Sequence, residues 1–138
     1  MKILKLIKKL ILLLLFIPLV SFGQDVMVIR IIDGDTFEIE NGDKVRMIGI
    51  DAPELKDEGG IESKNYLKLL IENKYVSLIK DEKNKNKDFF GRLLRYVYLN
   101  GSDINLKMIE DGYANVYTKF KFTKSKEYIN LNNNYKNN

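Results

Sequence analysis

One stretch decides how this chain is interpreted: Val45-Arg46-Met47-Ile48-Gly49-Ile50-Asp51-Ala52-Pro53-Glu54. Its first six residues predict a strand that is apolar on both faces and is interrupted only by Arg46. An arginine in such a strand is costly to bury unless an anion lies beside it. Pro53 ends the strand and leaves two carboxylates, Asp51 and Glu54, at its end. The stretch therefore predicts that a cationic side chain and two carboxylates lie close together.

The flanking residues alternate between apolar and polar in the way that strands do. Strands are expected at Asp25–Ile32, Thr36–Glu40, Lys44–Ile50, Tyr75–Ile79 and Leu93–Leu99. Helices are expected at Glu62–Asn73 and from Ser102 or Asp103 to Gly112, and Lys119–Tyr128 holds about two further turns. Because Asn41-Gly42 is a hairpin signal, the first three strands form a meander. The pattern predicts an α+β chain, mainly β: a five-stranded OB-fold β-barrel with two or three α-helices.

The composition limits the chemistry of any active site. The 138 residues include no cysteine and no histidine. This excludes a thiolate nucleophile, an imidazole base and a zinc site of the usual nitrogen and sulfur ligands. A metal site must use oxygen ligands, which suits Ca²⁺, Mg²⁺ or Mn²⁺. A general base must be a carboxylate, a lysine or a tyrosine.

Residues 1–23 are typical of a signal peptide. Four lysines (2, 5, 8 and 9) precede the apolar run Leu10–Phe22, and small residues before Gln24 mark a cleavage site. The run is shorter than the ~20 residues that a membrane span needs. We expect a secreted or periplasmic protein with no stable membrane association after cleavage. The alternative is an anchor that is not cleaved.

The charges of the remaining chain are unevenly distributed. Residues 24–62 contain 11 acidic and 4 basic residues, whereas residues 63–138 contain 8 acidic and 15 basic ones. An acidic half and a basic half suit a metal site that faces a polyanion, because bases attract a phosphate backbone and carboxylates hold the cation. The alternative is a solvated surface with no such role.

Two aspartates stand where strands end. Asp35 and Asp51 each follow an apolar run, so both can lie at one rim of a barrel and bind a hard cation together with a backbone carbonyl and waters. Glu54, fixed by Pro53, can take a proton from an attacking water. The alternative is that Asp33 and Asp35 are turn residues and that Glu54 caps the loop.

Two arginines are candidates for binding a phosphate. A phosphodiester gains negative charge when water attacks it, and the guanidinium groups of Arg46 and Arg92 can stabilise that charge. The alternatives are a salt bridge from Arg46 to Asp51 or Glu54 and a solvated Arg92. Arg95 is a weaker candidate, because its alternation places it within a strand.

Three segments together resemble the signature segments of the staphylococcal nuclease (thermonuclease) family. They are Ile32–Thr36, Val45–Glu54 and Asp88–Leu93, in the family's order and at compatible spacing. The resemblance covers roughly residues 26–117 and implies an OB-fold. It also implies an endonuclease that uses Ca²⁺ to hydrolyse DNA and RNA, prefers single-stranded or frayed substrate and leaves 3′-phosphate ends. We expect the nuclease domain to span residues 24–122 and the protein to be a monomer.

The resemblance also assigns residues to roles. It places metal ligands at Asp35, Asp51 and the backbone carbonyl of Ala52. It places the catalytic groups at Arg46, Glu54 and Arg92, and the aromatic residue that packs on the nucleotide at Phe90.

Residues 123–138 are expected to be a short, disordered, asparagine-rich tail that replaces the family's C-terminal helix. Two other functions remain open. One is a non-catalytic OB-fold module that binds single-stranded nucleic acid. The other is a small extracellular scaffold that uses calcium only for stability.

Overall fold

The computed structural model describes residues 1–14 and 25–137. The predicted cleavage site between Gly23 and Gln24 lies outside the described residues. The strands are β1 (Val26–Asp33), β2 (Thr36–Ile39), β3 (Lys44–Met47), β4 (Ile50–Asp51), β5 (Tyr75–Ile79), β6 (Leu93–Leu99), β7 (Ser102–Asp103) and β8 (Asn115–Val116). The helices are α1 (Lys2–Leu14), α2 (Gly60–Ile71), α3 (Ile104–Glu110) and α4 (Ser125–Lys136).

Five of these strands close into a barrel. β1 pairs with β2 and with β5, β2 pairs with β3, and β5 pairs with β6, all antiparallel. The ring closes through a parallel pairing of β3 with β6, in which Val45 lies opposite Leu93. This closed mixed barrel confirms the predicted OB-fold. The predicted strands at 75–79 and 93–99 have the bounds of β5 and β6.

Apolar side chains from every barrel strand fill one core. In β3 the alternation is regular, because Val45 and Met47 are fully buried while Lys44 is exposed and Arg46 is half-buried. Helices α2 and α3 close the barrel with Leu67, Ile71, Ile104 and Met108. The side chain of Asp103 caps α3 by accepting from the backbone N–H of Leu106 at 3.1 Å, as the sequence predicted.

The prediction of a single strand over Lys44–Ile50 was wrong. The strand ends at Met47, and the chain turns at Gly49, whose φ is +77°, before β4 pairs with β8. A side chain at residue 49 would be strained at this φ, and its Cβ would lie 2.6 Å from the ring of Phe122. The apolar run hides the bend, because its pattern is the same on both sides of the glycine.

The buried side chain of Asn105 holds the bend in place. Its amide nitrogen donates to the carbonyl of Ile48 at 2.9 Å and to that of Arg95 at 3.3 Å. Its carbonyl oxygen accepts from the backbone N–H of Val97 at 3.0 Å. Since Asn105 is fully buried, losing these bonds leaves polar groups without partners in the core.

The predicted disorder of residues 123–138 was also wrong for most of that segment. Residues 125–136 form α4, whose Tyr128 is fully buried. Tyr128 packs against Phe122 and Tyr96, at ring-centroid distances of 5.5 and 6.3 Å. Tertiary packing of one aromatic side chain thus outweighs the poor helix propensity of the asparagines around it.

Lys124, just before α4, joins the helix to the barrel. Its ammonium group donates to the carboxylate of Asp103 and, at 2.9 Å, to the hydroxyl of Tyr98. The same nitrogen lies 5.3–5.6 Å from the ring centroids of Tyr96, Tyr98 and Tyr128. Hydrogen bonds to Asp103 and Tyr98 raise the pKa of Lys124 against the opposing effect of burial, so the lysine remains charged.

None of the helices in the described ranges 1–14 and 25–137 is both long and apolar enough to cross a membrane.

Gly49→Ala is expected to destabilise the protein by about 2–4 kcal/mol, because it adds a clash with Phe122 to the strain of a left-handed backbone. Gly101→Ala is the matched control, since Gly101 has a φ of +81° and a Cβ added there would meet nothing within 4 Å. It should cost about 1 kcal/mol. Urea denaturation gives both values, and equal losses would contradict the close contact with Phe122.

Tyr128→Ala is expected to cost about 3–5 kcal/mol, because it removes a fully buried aromatic side chain. Asn133→Ala, an exposed position on the same helix, should change the free energy of unfolding by less than about 0.5 kcal/mol. Chemical denaturation measures both. A Tyr128→Ala protein as stable as the unsubstituted one would show that α4 does not pack on the barrel.

Candidate functional site

Asp35, in the turn between β1 and β2, is the most buried acid of the site. One carboxylate oxygen accepts from the backbone N–H of Ala52 at 2.9 Å, and the other accepts from the Thr36 hydroxyl at 3.0 Å. The backbone N–H of Asp35 itself donates to the carboxylate of Asp33 at 3.1 Å. Asp33, the last residue of β1, therefore stabilises the turn that follows it, and Asp35 points inward to residues from β2 and from beyond β4.

The surroundings of Asp35 leave its charge only partly compensated. Burial raises the pKa of its carboxyl to about 6, and the nearby carboxylate of Asp33 acts in the same direction. The guanidinium of Arg46 and the N–H of Ala52 lower it, but they do not offset the burial. An ionised Asp35 is consequently an electrostatic centre that favours further positive charge nearby.

Arg46 contacts both aspartates of the predicted metal site. Its Nη2 lies 3.3 Å from Asp35 Oδ2 and 3.6 Å from Asp51 Oδ1. Its Nη1 donates to the carbonyl of Met47. The side chain of Arg46 is 15% exposed, whereas that of Asp51 is 57% exposed. The anion that a half-buried arginine requires is thus supplied by Asp35 and Asp51.

Glu54 lies on the exposed loop that follows β4. Its backbone carbonyl accepts from the N–H of Asp57 at 2.9 Å and so forms a turn. Its side chain is exposed and forms no ion pair with Arg46 among the described residues. The sequence alternative of an Arg46–Glu54 salt bridge is therefore wrong, whereas the Arg46–Asp51 pair is present.

Arg92 approaches the same site from the start of β6. Its Nη1 lies 3.5 Å from the hydroxyl oxygen of Thr36, which also contacts Asp35. Its Nε donates to Asp88 Oδ2 at 2.7 Å, so Asp88 fixes the direction of the guanidinium. Because β3 and β6 pair in parallel, the residue before β6 lies beside the start of β3.

Arg95 is directed away from the site. Its guanidinium donates to the carbonyl of Asn86 at 3.2 Å and to that residue's side-chain oxygen at 2.7 Å.

Phe90 is 78% exposed and lies next to Arg92, whose Cζ is 5.4 Å from the ring centroid. The structure thus brings Asp35, Arg46, Asp51, Ala52 and Arg92 together, with Phe90 at the edge and Glu54 in solvent.

Side chains supply only some of the oxygen ligands that a hard cation needs at this site. The described residues contain no group of three or more acidic side chains that could hold a metal ion. Asp35 and Asp51 nevertheless lie within 3.3 and 3.6 Å of one arginine nitrogen. Two carboxylates with backbone oxygens and waters suit Ca²⁺ or Mg²⁺, which take oxygen ligands.

Two residues of the site were not singled out from the sequence. Thr36 links Asp35 to Arg92, and Asp88 orients Arg92. For Asp88 a local signal exists, since an aspartate at the start of a turn commonly accepts from backbone N–H groups that follow it. For Thr36 there is none, because its contact with Arg92 depends on the closure of the barrel.

Comparison with known proteins identifies the same family. The model of the family described as "Staphylococcal nuclease homologue" matches residues 44–138. A protein named Thermonuclease from Staphylococcus intermedius is 35% identical over 101 residues, which are 67% of this chain and 59% of that protein. An uncharacterized endonuclease of Haemophilus influenzae is 38% identical over 97 residues, 67% of this chain and 52% of that protein.

An uncharacterized endonuclease of Escherichia coli O157:H7 is 34% identical over 97 residues, which cover 67% of this chain and 61% of that protein. This chain therefore spans about half to two thirds of the length of these three relatives. The family match includes β3, β6 and the helix α4 that the asparagine-rich composition had concealed. The chain belongs to the staphylococcal nuclease family.

Proposed function

We propose that this chain is an endonuclease that uses Ca²⁺ to hydrolyse phosphodiester bonds of DNA and RNA, with a preference for single-stranded or frayed substrate. The observation that carries the proposal is the joint placement of Arg46 and Arg92 around the buried carboxylate of Asp35. Two guanidinium groups at one edge of the barrel suit a phosphate that gains charge as it reacts. Membership of the staphylococcal nuclease family supports the same reaction.

In the proposed reaction, the Glu54 carboxylate takes a proton from a water molecule while the oxygen of that water attacks the phosphorus. The P–O5′ bond then breaks and the departing oxygen takes a proton from solvent water, which leaves a 3′-phosphate and a 5′-hydroxyl. Arg46 and Arg92 bind the non-bridging oxygens and stabilise their increasing negative charge. The exposure of Glu54 keeps its side chain accessible to water and to substrate.

Asp35 and Asp51, with the carbonyl of Ala52, are the residues that would hold Ca²⁺. When bound, the ion supplies positive charge at the phosphate and lowers the pKa of a coordinated water. The Ala52 N–H and the Thr36 hydroxyl hold the Asp35 carboxylate in a fixed position beside the cationic Arg46, which supports its assignment as a ligand.

We further propose that residues 1–23 direct export and that the protein acts as a monomer in a secreted or periplasmic location. The four lysines of α1 followed by apolar residues support this, since they match the charged and apolar regions of a signal peptide. Sequencing the N-terminus of protein recovered from outside the cytoplasm tests the cleavage after Gly23.

The main alternative is a module that binds single-stranded nucleic acid without cleaving it. The exposed aromatic residues near Arg92 would serve either function. The two differ in cleavage, so the experiment is hydrolysis of heat-denatured DNA with Ca²⁺ and with a chelator. We expect cleavage only with Ca²⁺. Equal cleavage in both, or binding without cleavage by folded protein, would overturn the proposed enzyme.

Glu54→Gln is expected to lower the cleavage rate by about 10²–10⁴-fold, because the amide cannot accept the proton. Affinity for a single-stranded oligonucleotide in Ca²⁺ should stay within about twofold. Glu58→Gln, an exposed acid of the same loop, is the matched control and should leave the rate unchanged. Equal rates for the two variants would remove Glu54 from the mechanism.

Asp88→Asn is expected to lower kcat by about tenfold, because the Arg92 guanidinium loses its charged partner while the amide oxygen can still accept from the backbone. KM and the free energy of unfolding should change little. Glu38→Gln removes an exposed pair with Arg30 and is the matched control. A loss of activity that merely follows a loss of stability would contradict a positioning role for Asp88.

A further inference from the structure

The turn between Asp88 and Arg92 presents two phenylalanine side chains to solvent. Phe90 is 78% exposed and Phe89 is 98% exposed. Their ring centroids are 5.7 Å apart and the ring planes are at 86° to each other. Single exposed apolar residues are common, but two adjacent aromatic rings beside a charged site indicate a binding surface. Phe89 has no role in the reaction proposed above.

The backbone of this turn is well held. The Asp88 carboxylate accepts from the N–H groups of Phe90 and Arg92, at 2.9 and 3.0 Å. The N–H of Gly91 donates to the Asp88 carbonyl at 3.1 Å, and the N–H of Asp88 donates to the Arg92 carbonyl at 2.9 Å. The backbone that carries the two rings is therefore already ordered, so binding a ligand there does not have to order the turn.

The rings are continuous with the candidate site. Arg92 contacts Thr36 with one nitrogen, and its Cζ lies 5.4 Å from the centroid of the Phe90 ring. Phe90 in turn contacts Phe89. Arg92 and Phe90 thus connect the buried Asp35 to Phe89 at the surface. A substrate whose phosphate is at Arg92 would place its neighbouring groups over these rings.

The loop that precedes the turn is basic. Lys83, Lys85 and Lys87 are exposed, and the loop is joined to β6 by a hydrogen bond from Leu94 N–H to the Asn86 carbonyl at 3.1 Å. Positive charge next to aromatic rings is the combination that binds single-stranded nucleic acid, because bases stack on the rings and phosphates pair with the cations. In a duplex the base faces are covered by their neighbours.

We propose that Phe89 stacks on a nucleobase next to the nucleotide whose phosphate Arg92 contacts. The site then accommodates at least two nucleotides of unpaired strand, and Phe89 contributes to the preference for single strands. This inference rests on the proposed nuclease function. It assigns Phe89 to substrate binding and gives it no part in the chemical step.

The test compares Phe89→Ala and Phe89→Trp with the unsubstituted chain. We expect Phe89→Ala to raise KM for cleavage of a thymidylate octamer by about tenfold with kcat unchanged, and Phe89→Trp to retain the affinity. Fluorescence anisotropy with a labelled octamer in EDTA should show the same loss of binding for Phe89→Ala. An octamer without bases should bind Phe89→Ala and the unsubstituted chain equally, because it cannot stack.

Tyr75→Ala is the matched control. Tyr75 is an exposed aromatic residue of β5. It pairs with Met27 near the start of β1, whereas Asp33 and the following Asp35 lie at the other end of that strand. This variant should behave as the unsubstituted chain does with both octamers. Thermal unfolding is expected to be unchanged for Phe89→Ala, since the side chain is almost wholly in solvent.

The outcomes separate this proposal from the one on which it rests. If the unsubstituted chain cleaves DNA but Phe89→Ala has the same KM and affinity, stacking by Phe89 is wrong and the nuclease stands. If the unsubstituted chain neither binds nor cleaves DNA, both proposals fail. Binding of both chains to vesicles of phosphatidylserine and phosphatidylcholine is measured as well. If Phe89→Ala loses binding only to these vesicles, the turn contacts membranes and the proposal is overturned.

Discussion

The buried carboxylate of Asp35 is the interaction on which the candidate site depends. It accepts from the Ala52 N–H beyond β4 and from the Thr36 hydroxyl in β2, and it pairs with Arg46 in β3. Because burying an unpaired carboxylate costs several kcal/mol, these partners must remain in place as long as Asp35 is ionised. One side chain thereby fixes the relative positions of β2, β3 and the residue that follows β4.

The C-terminal segment supports this arrangement by packing at the bend. The ring of Phe122 fills the space beside Gly49, and Tyr128 and Lys124 connect α4 to Tyr96, Tyr98 and Asp103. The bend at Gly49 separates β3, which carries Arg46, from β4, which carries Asp51. Packing around α4 therefore stabilises the geometry that lets one arginine contact two aspartates.

The five barrel strands and helices α2 and α3 could be predicted from the sequence, because each has a clear local pattern. The bend at Gly49 could not, since Ile48 and Ile50 are apolar on both sides of it. Helix α4 could not either, because its stability comes from Tyr128 and Lys124 packing on the barrel while its own asparagines disfavour a helix. Asp35, Arg46 and Arg92 were recognisable from their segments, whereas Thr36 acquires its place between them only when the barrel closes.

The parallel pairing of β3 with β6 brings residues of the acidic half and of the basic half of the chain together at the candidate site. The acidic half supplies Asp35 and Asp51, and the basic half supplies Arg92 and the lysines of the loop before it. Where β3 and β6 start side by side, the two halves meet, and cations face carboxylates across one edge of the barrel. The exposed lysines of the loop before Arg92 add positive charge that would attract a polyanion to this part of the chain. The uneven charge distribution along the sequence thus brings groups of both signs to one site once the strands are paired.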